Sequence, residues 1–128
     1  MILADTCVLI DAAKRPQRKL QARLASMPIA ICGVVRAEML CGAYLPTDRA
    51  RITASLAGFI ELDVSRTTWV LLGTQLGLLR KAGLSPSFSD ALIATLAIEA
   101  GLELWTRDAH FVQMQAALPG LVLYAEPP

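Results

Sequence analysis

Histidine is nearly absent from this chain of 128 residues, where His110 is the only one. That removes any zinc site built on several imidazoles and any iron site that needs two of them. Cysteine is scarce as well: Cys7, Cys32 and Cys41 are odd in number, form no CxxC pair and lie in apolar surroundings. They offer neither a disulfide framework nor a thiolate zinc set, and read as small buried hydrophobes of a reducing compartment, the cytoplasm. Neither GxGxxG nor GxxxxGK[ST] occurs, so the phosphate cradles of dinucleotide-binding and P-loop folds are missing. No nucleophile elbow accompanies His110, which leaves a serine triad without support. No apolar stretch reaches the ~20 residues of a membrane span. The N-terminus lacks a basic lead-in and carries Asp5 inside its apolar run, so neither a signal peptide nor a membrane partner is expected. A basic excess is missing too: the net charge is +1 and the pI about 7.7, short of the balance of a general nucleic-acid binder.

What the chain has in quantity is apolar residues, 55% against 18% charged. One domain spanning 1–128 is long enough to bury a core unaided, and this balance suits an α/β interior whose strands are covered on both sides. The punctuation agrees. Short apolar strands are expected at Ile2 to Ala4, Pro28 to Cys32, Phe59 to Leu62, Leu102 to Thr106 and Leu121 to Tyr124. Helical patterns fall between them: Thr6 to Ala13, one beginning near Pro16, Val34 to about Leu45, Pro46 to about Ala57 with Thr47 as N-cap, and a long helix opened by Ser65. In that long helix Trp69, Leu72, Leu76 and Leu79 form a stripe, and Arg80, Lys81 and Gly83 close it. Phe88 to Ala100 is apolar nearly all round, the mark of a buried helix, and Arg107 to Ala117 makes the last one. Strands alternate with helices and hairpin signals are missing, which predicts a three-layer α/β/α fold around a parallel sheet of four to five strands.

Open parallel sheets bind ligands at the carboxyl ends of their strands; three of four carboxylates belong to junctions at that edge, and Asp90 reaches it if its helix packs nearby. Asp5 follows the first strand, Glu38 lies in the helix after the second, Asp90 in the first turn of the buried helix, and Asp108 after the fourth strand. Each has a plainer explanation. Asp5 and Asp108 could N-cap the helices behind them, and Asp90 completes Ser87-x-x-Asp90, a capping box. Glu38 is harder to dismiss, because Val34, Val35, Cys41 and Gly42 share its helix face and place it in an apolar stripe. Four acids at one edge would repel one another unless a cation neutralised them. An all-oxygen set suits Mg²⁺ or Mn²⁺, and such ions activate water and stabilise charge on a phosphodiester. A metal-dependent phosphoryl hydrolase follows. An aspartyl-phosphate mechanism does not, since Cys7 stands where its second acid is needed.

Basic residues are unevenly placed. Lys14, Arg15, Arg18, Lys19, Arg23 and Arg36 occur between Ala12 and Ala37 without an acid. Arg15, Lys19 and Arg23 would stack at four-residue steps on a helix, which mildly opposes it. An anionic partner and a solvated surface helix both account for them.

With these blocks in place, the chain resembles the PIN-domain ribonucleases, in particular the VapC-type toxins of bacterial toxin–antitoxin modules. The resemblance rests on ILADTCVLID, VVRAEML, SDALIATLA and LELWTRDAHF, in that order over nearly the whole length. It implies that Asp5, Glu38 and Asp90 coordinate Mg²⁺ or Mn²⁺ and activate water to cut single-stranded RNA, with Asp108 at a fourth, more variable position. It also implies that Thr6 and Thr106 line the site, that the chain forms a homodimer, and that an antitoxin protein (VapB-like) binds and blocks it. For RNA contacts, Lys14, Arg15, Lys19 and Arg23 form one candidate surface. Arg36 and Arg107, each near a site acid in sequence, are placed to touch the scissile phosphate or to form ordinary ion pairs. A PIN-fold module that binds RNA or protein without useful catalysis is the alternative from another class.

Overall fold

The computed structural model describes residues 1–14 and 17–127; Arg15, expected on the basic face, lies outside them. Four strands form one sheet, β1 (Ile2–Ala4), β2 (Ile29–Cys32), β3 (Ile60–Leu62) and β4 (Glu103–Trp105), in the order β3-β2-β1-β4 with every pairing parallel. β1 and β2 are buried along their whole length. That is why they read as unbroken apolar runs rather than as alternating ones.

The topology determines where helices and ligand edge fall. β1 to β2 to β3 steps in one direction across the sheet through α1 (Thr6–Lys14), α2 (Arg18–Ser26), α3 (Gly33–Cys41) and α4 (Pro46–Leu56). The chain then returns past β1 to β4 through α5 (Arg66–Lys81) and α6 (Phe88–Ala100), and closes with α7 (His110–Ala117). Parallel crossovers are right-handed, so reversing direction puts the second set of helices on the opposite face. The strand order reverses between β1 and β4, and the crevice of an open parallel sheet opens at such a point. Leu3, Ala30, Ile31, Leu104 and Trp105 fill the middle of the core.

α6 is enclosed as expected, with every residue from Ala91 to Ala97 buried. Gly101, at φ +67°, ends it in the left-handed conformation that a side chain with a Cβ resists. Four expectations need correction. The fifth strand is reduced to a single bridge between Leu104 and Leu123, held by bonds from Leu104 N–H to Val122 O and from Tyr124 N–H to Leu104 O, both 2.8 Å. α3 stops at Cys41, with Gly42 as its C-cap, before Leu45 is reached. Thr47 caps nothing: Leu45 precedes α4, and Pro46 at its first position removes an N–H that would need a cap. On α5 the buried face is Thr68, Leu72, Gln75 and Leu79, while Trp69 is half exposed and stacks on Phe88. The helix is rotated because Ser65 and Thr68 form a full capping box and the Thr68 hydroxyl donates to Glu99 of α6 at 2.6 Å.

Candidate metal centre

The parallel pairing of β1 with β4 continues one residue past the strands, where the Asp5 N–H donates to Trp105 O at 2.8 Å. This extension carries Asp5 to the carboxyl edge while keeping it 6% exposed. Both of its oxygens accept hydrogen bonds, and Oδ1 keeps a free acceptor position. Oδ1 accepts the Thr6 N–H at 2.8 Å; Oδ2 accepts the Thr106 hydroxyl at 2.8 Å and the Cys7 thiol at 3.4 Å. A capping carboxylate reaches the second or third helical N–H; Asp5 takes only the N–H of the next residue. Capping therefore does not account for it.

Two threonines tie neighbouring acids to Asp5. The Thr6 hydroxyl donates to Glu38 Oε1 at 3.1 Å, joining the first turn of α1 to α3. Thr106 Oγ1 accepts the Asp108 N–H at 3.1 Å while it donates to Asp5. Glu38 is exposed, which corrects its expected place in an apolar stripe: α3 buries only Val35, and its next turn opens to solvent beside α1. Asp108 Oδ1 accepts the His110 N–H, the first of α7, at 2.9 Å and stands 3.1 Å from the His110 ring Nδ1.

Asp90 is the acid whose chemistry is most disturbed. Ser87 accepts the Asp90 N–H at 3.1 Å, which is half of a capping box. The reciprocal bond from the Ser87 N–H to the carboxylate is not formed among the described residues, so the carboxylate is not consumed by capping. Burial, more than any other influence, pushes its pKa above the usual carboxylate range; the Ser87 hydroxyl pulls it back, and the charges of Asp5 and Asp108 add to the rise. Asp5 and Glu38 likewise help burial to push up the buried Cys32 thiol. The acids thus feel one another across the edge.

They are not, however, packed into a cage. Among the described residues, no three His, Cys, Asp or Glu side chains stand close enough together to hold an ion between them. That spacing does not fit a dehydrated zinc or calcium nest. It does fit a small hard cation that keeps most of its waters and takes one or two carboxylates directly. The all-oxygen donors, with Asp5 buried and held rigid and Glu38 open to solvent, match Mg²⁺ or Mn²⁺ in that mode.

The basic residues are distributed differently from the acids. Arg36 pairs with Glu61 at 2.8 Å. Arg107 holds Asp11 at 2.9 Å through Nη1 and grips Glu126 with Nε at 2.8 Å and Nη2 at 3.1 Å. These partners push the Arg107 pKa further up and hold Glu126 below its usual range. Of the two readings open for these arginines, the geometry is that of ion pairs. Lys14 borders a cleft of about 550 Å³ together with Glu38 and Arg51. Lys19 and Arg23 line another, about 540 Å³, beside Arg107 and Glu126, and Arg23 donates to the Tyr124 hydroxyl at 3.1 Å.

One participant was not foreseen. Cys7 lies half-buried between the two strand ends: its thiol donates to Asp5, stands 3.6 Å from the Thr106 hydroxyl and accepts the Arg107 N–H at 3.3 Å. Its only signal in the sequence is its place two residues after Asp5, which on the first turn of a helix faces the same edge.

Comparison with known proteins adds a second line of observation. A family model described as PIN domain matches residues 2–117. No curated protein matches significantly. Among solved structures, a chain of VapBC2 from Rickettsia felis, bound to a DNA fragment from their promoter, has a TM-score of 0.83 at 23% identity, covering 97% of this chain and 98% of that one. A toxin–antitoxin complex from Klebsiella pneumoniae is 27% identical with a TM-score of 0.72, covering 95% and 96%. VapBC-1 from nontypeable Haemophilus influenzae gives 0.83 at 19% identity, covering 97% of both.

Proposed function

The chain belongs to the PIN domain family, and from that membership we propose that it is a divalent-metal-dependent endoribonuclease, a toxin restrained by a cognate antitoxin protein. The observation that carries this reading is Asp5: a buried carboxylate at the strand-order reversal, with three donors and two threonine links to further acids. An ordinary structural acid has no use for such company.

In this reading Asp5, Glu38, Asp90 and Asp108 would together hold a hydrated Mg²⁺ or Mn²⁺, one or two of them directly and the others through its waters. The ion, when bound, supplies a water of lowered pKa and positive charge opposite the scissile phosphate. The chain's own residues supply the order. Thr106 and the Thr6 N–H hold both oxygens of Asp5 in place. The Thr6 hydroxyl orients Glu38. Asp90, its carboxyl raised in pKa, is the acid most relieved by a cation. Lys14, beside Glu38, is the basic residue best placed for the RNA backbone, with Lys19 and Arg23 further along as a second contact. The antitoxin partner is supported by the Klebsiella pneumoniae relative, itself part of a toxin–antitoxin complex. A homodimer and a cytoplasmic setting complete the proposal; among the described residues no helix is long and apolar enough to cross a membrane.

The test is cleavage of purified single-stranded RNA. Cutting requires Mg²⁺ or Mn²⁺ and is lost in Asp5→Asn with an unchanged circular dichroism spectrum. Cutting that survives a chelator overturns the metal mechanism. The competing reading is a PIN-fold module that binds RNA or protein without useful catalysis. Equal growth of cells expressing wild type and Glu38→Gln, in the absence of antitoxin, would decide for it.

A further inference from the structure

A second opening meets the acidic edge from the side of α7. It is a cleft of about 480 Å³ whose lining includes Ser85, Pro86, Asp90, His110, Gln113 and Met114. That volume lies within the range of small-molecule sites. Its construction is layered. Met114, 1% exposed, forms an apolar floor. Pro86 adds the apolar ring of a proline from the segment before α6, and the imidazole of His110, 73% exposed, has its Nδ1 3.1 Å from Asp108 Oδ1. Gln113 stands three residues after His110, on the same face of α7. Its amide offers a donor and an acceptor side by side, and Ser85 lines the same space.

The charge in this cleft narrows what it can take. Asp90 is its only carboxylate and no lysine or arginine lines it. A phosphate would be repelled from the Asp90 end, whereas an uncharged flat heterocycle suits an apolar floor, two ring faces and one amide. Asp90 also belongs to the acid set proposed above to hold the metal. A nucleotide whose phosphate lies at that edge has its neighbouring base within reach of the cleft.

We propose that this cleft seats the nucleobase adjoining the scissile phosphate, stacked on His110 and Pro86 and read at its edge by Gln113. The proposal rests on the ribonuclease reading and deepens it: the metal site cuts, and the cleft selects where. Single-stranded RNA is recognised in this way, by splaying a base onto a ring and bonding its edge.

The test uses a random-sequence pool of single-stranded RNA cut by the purified chain with Mn²⁺, with the new ends sequenced. The wild type shows a base preference at one position next to the cut. Gln113→Ala reduces that preference roughly tenfold, the scale of one side chain reading one base edge. Val112→Ala, on the exposed side of the same helix and outside the cleft, keeps it. A readout that needs no cutting is binding of short A, C, G and U homopolymers to the Asp5→Asn chain, followed by fluorescence anisotropy. There the bases rank differently, and adding Gln113→Ala levels the ranking. Cutting with a preference that Gln113→Ala leaves intact overturns the cleft and spares the nuclease. No cutting by the wild type, together with a binding rank that Gln113→Ala removes, overturns the nuclease and keeps the cleft.

Discussion

The hydroxyl of Thr106 donates to Asp5 Oδ2 at 2.8 Å and accepts the N–H of Asp108 at 3.1 Å. One side chain thereby ties the end of β4 to the end of β1 across the place where the strand order reverses. Few contacts in the molecule bear so directly on the acidic edge.

Replacing this hydroxyl by a methyl tests how much the edge depends on it. Thr106→Val keeps the shape but strips Asp5 of a donor and leaves the Asp108 N–H unpaired. Each such loss costs about 1 kcal/mol or more when the group is buried. Urea denaturation is expected to show a total loss of about 1–2 kcal/mol, and metal-dependent cleavage to fall at least tenfold. Thr106→Ser, which restores the hydroxyl, should recover most of both. Equal behaviour of the two variants would show that the hydroxyl does not orient Asp5.

The contrast between Asp5 and Arg107 shows what was legible in the sequence. A carboxylate interrupting ILADTCVLI is reconciled with burial at the end of a buried strand or by a partner, and Asp5 lies at the end of β1 with both oxygens hydrogen-bonded. Asp108 announced itself in the same way behind LELWT. Arg107 had no such local signal. Its partners, Asp11 and Glu126, come from α1 and from the segment near the C-terminus, and periodicity carries no information about which distant acid a given arginine meets. The α5 stripe failed for a related reason. Leucines at helical spacing predicted a face that included Trp69, but the Thr68–Glu99 bond to α6 set the rotation and left Trp69 half exposed. The strand after α7 failed because pairing needs length. Beyond Leu121 the chain pairs with β4 through the single bridge Leu104–Leu123, flanked by the Val122 and Tyr124 backbone bonds, before Pro127 is reached.

Glu126 predicts a measurable dependence of stability on pH. Its Oε1 accepts the Trp105 indole N–H at 2.6 Å as well as Arg107 Nε at 2.8 Å. Its carboxyl is held below the ordinary 4.5, chiefly by the Arg107 bonds. A depressed acid stabilises the fold fully above its unfolded value and loses that contribution as the pH falls through its folded one. The wild type should therefore exceed Glu126→Gln by about 1 kcal/mol at pH 7, a figure already reduced for solvent screening. The gap should close below pH ~4.5. Glu126→Ala should cost about 1–2 kcal/mol more than Gln at every pH, because Trp105 is fully buried and its N–H would lose its acceptor. Chemical denaturation of the three proteins across pH 3–7 checks both statements.

Gln75 predicts a gain. It is 7% exposed on the buried face of α5, and among the described residues its Oε1 has no hydrogen-bond partner. Burying an amide oxygen without a partner costs about 1–3 kcal/mol. Gln75→Met, similar in volume and free of that penalty, should raise stability by about 1 kcal/mol with the slope of the urea transition unchanged. A loss instead would mean that the amide is satisfied after all.

Asp90 joins stability, pH and metal in one measurement. Its carboxyl is raised above the ordinary 3.8, first by burial and then by Asp5 and Asp108. An acid whose folded pKa is raised binds protons more readily in the native state, so without metal stability falls as pH rises from about 3.8 through the folded value. Asp90→Asn removes that charge. In metal-free buffer at pH 7 it should be more stable than wild type, by on the order of half a kcal/mol after allowance for solvent screening. The advantage should shrink as the pH falls toward 3.8 and vanish well below it, where the wild-type carboxyl is protonated in both states. Adding Mg²⁺ or Mn²⁺ at pH 7 should reverse the order: a cation binding only the native wild type stabilises it by mass action, whereas Asp90→Asn, with a ligand removed, gains little. Thermal melts of both proteins, with and without metal and at both pH values, check each of these statements. A wild type whose melting temperature ignores Mg²⁺ and Mn²⁺ at pH 7 would show that these acids, however they are brought together, do not bind a cation.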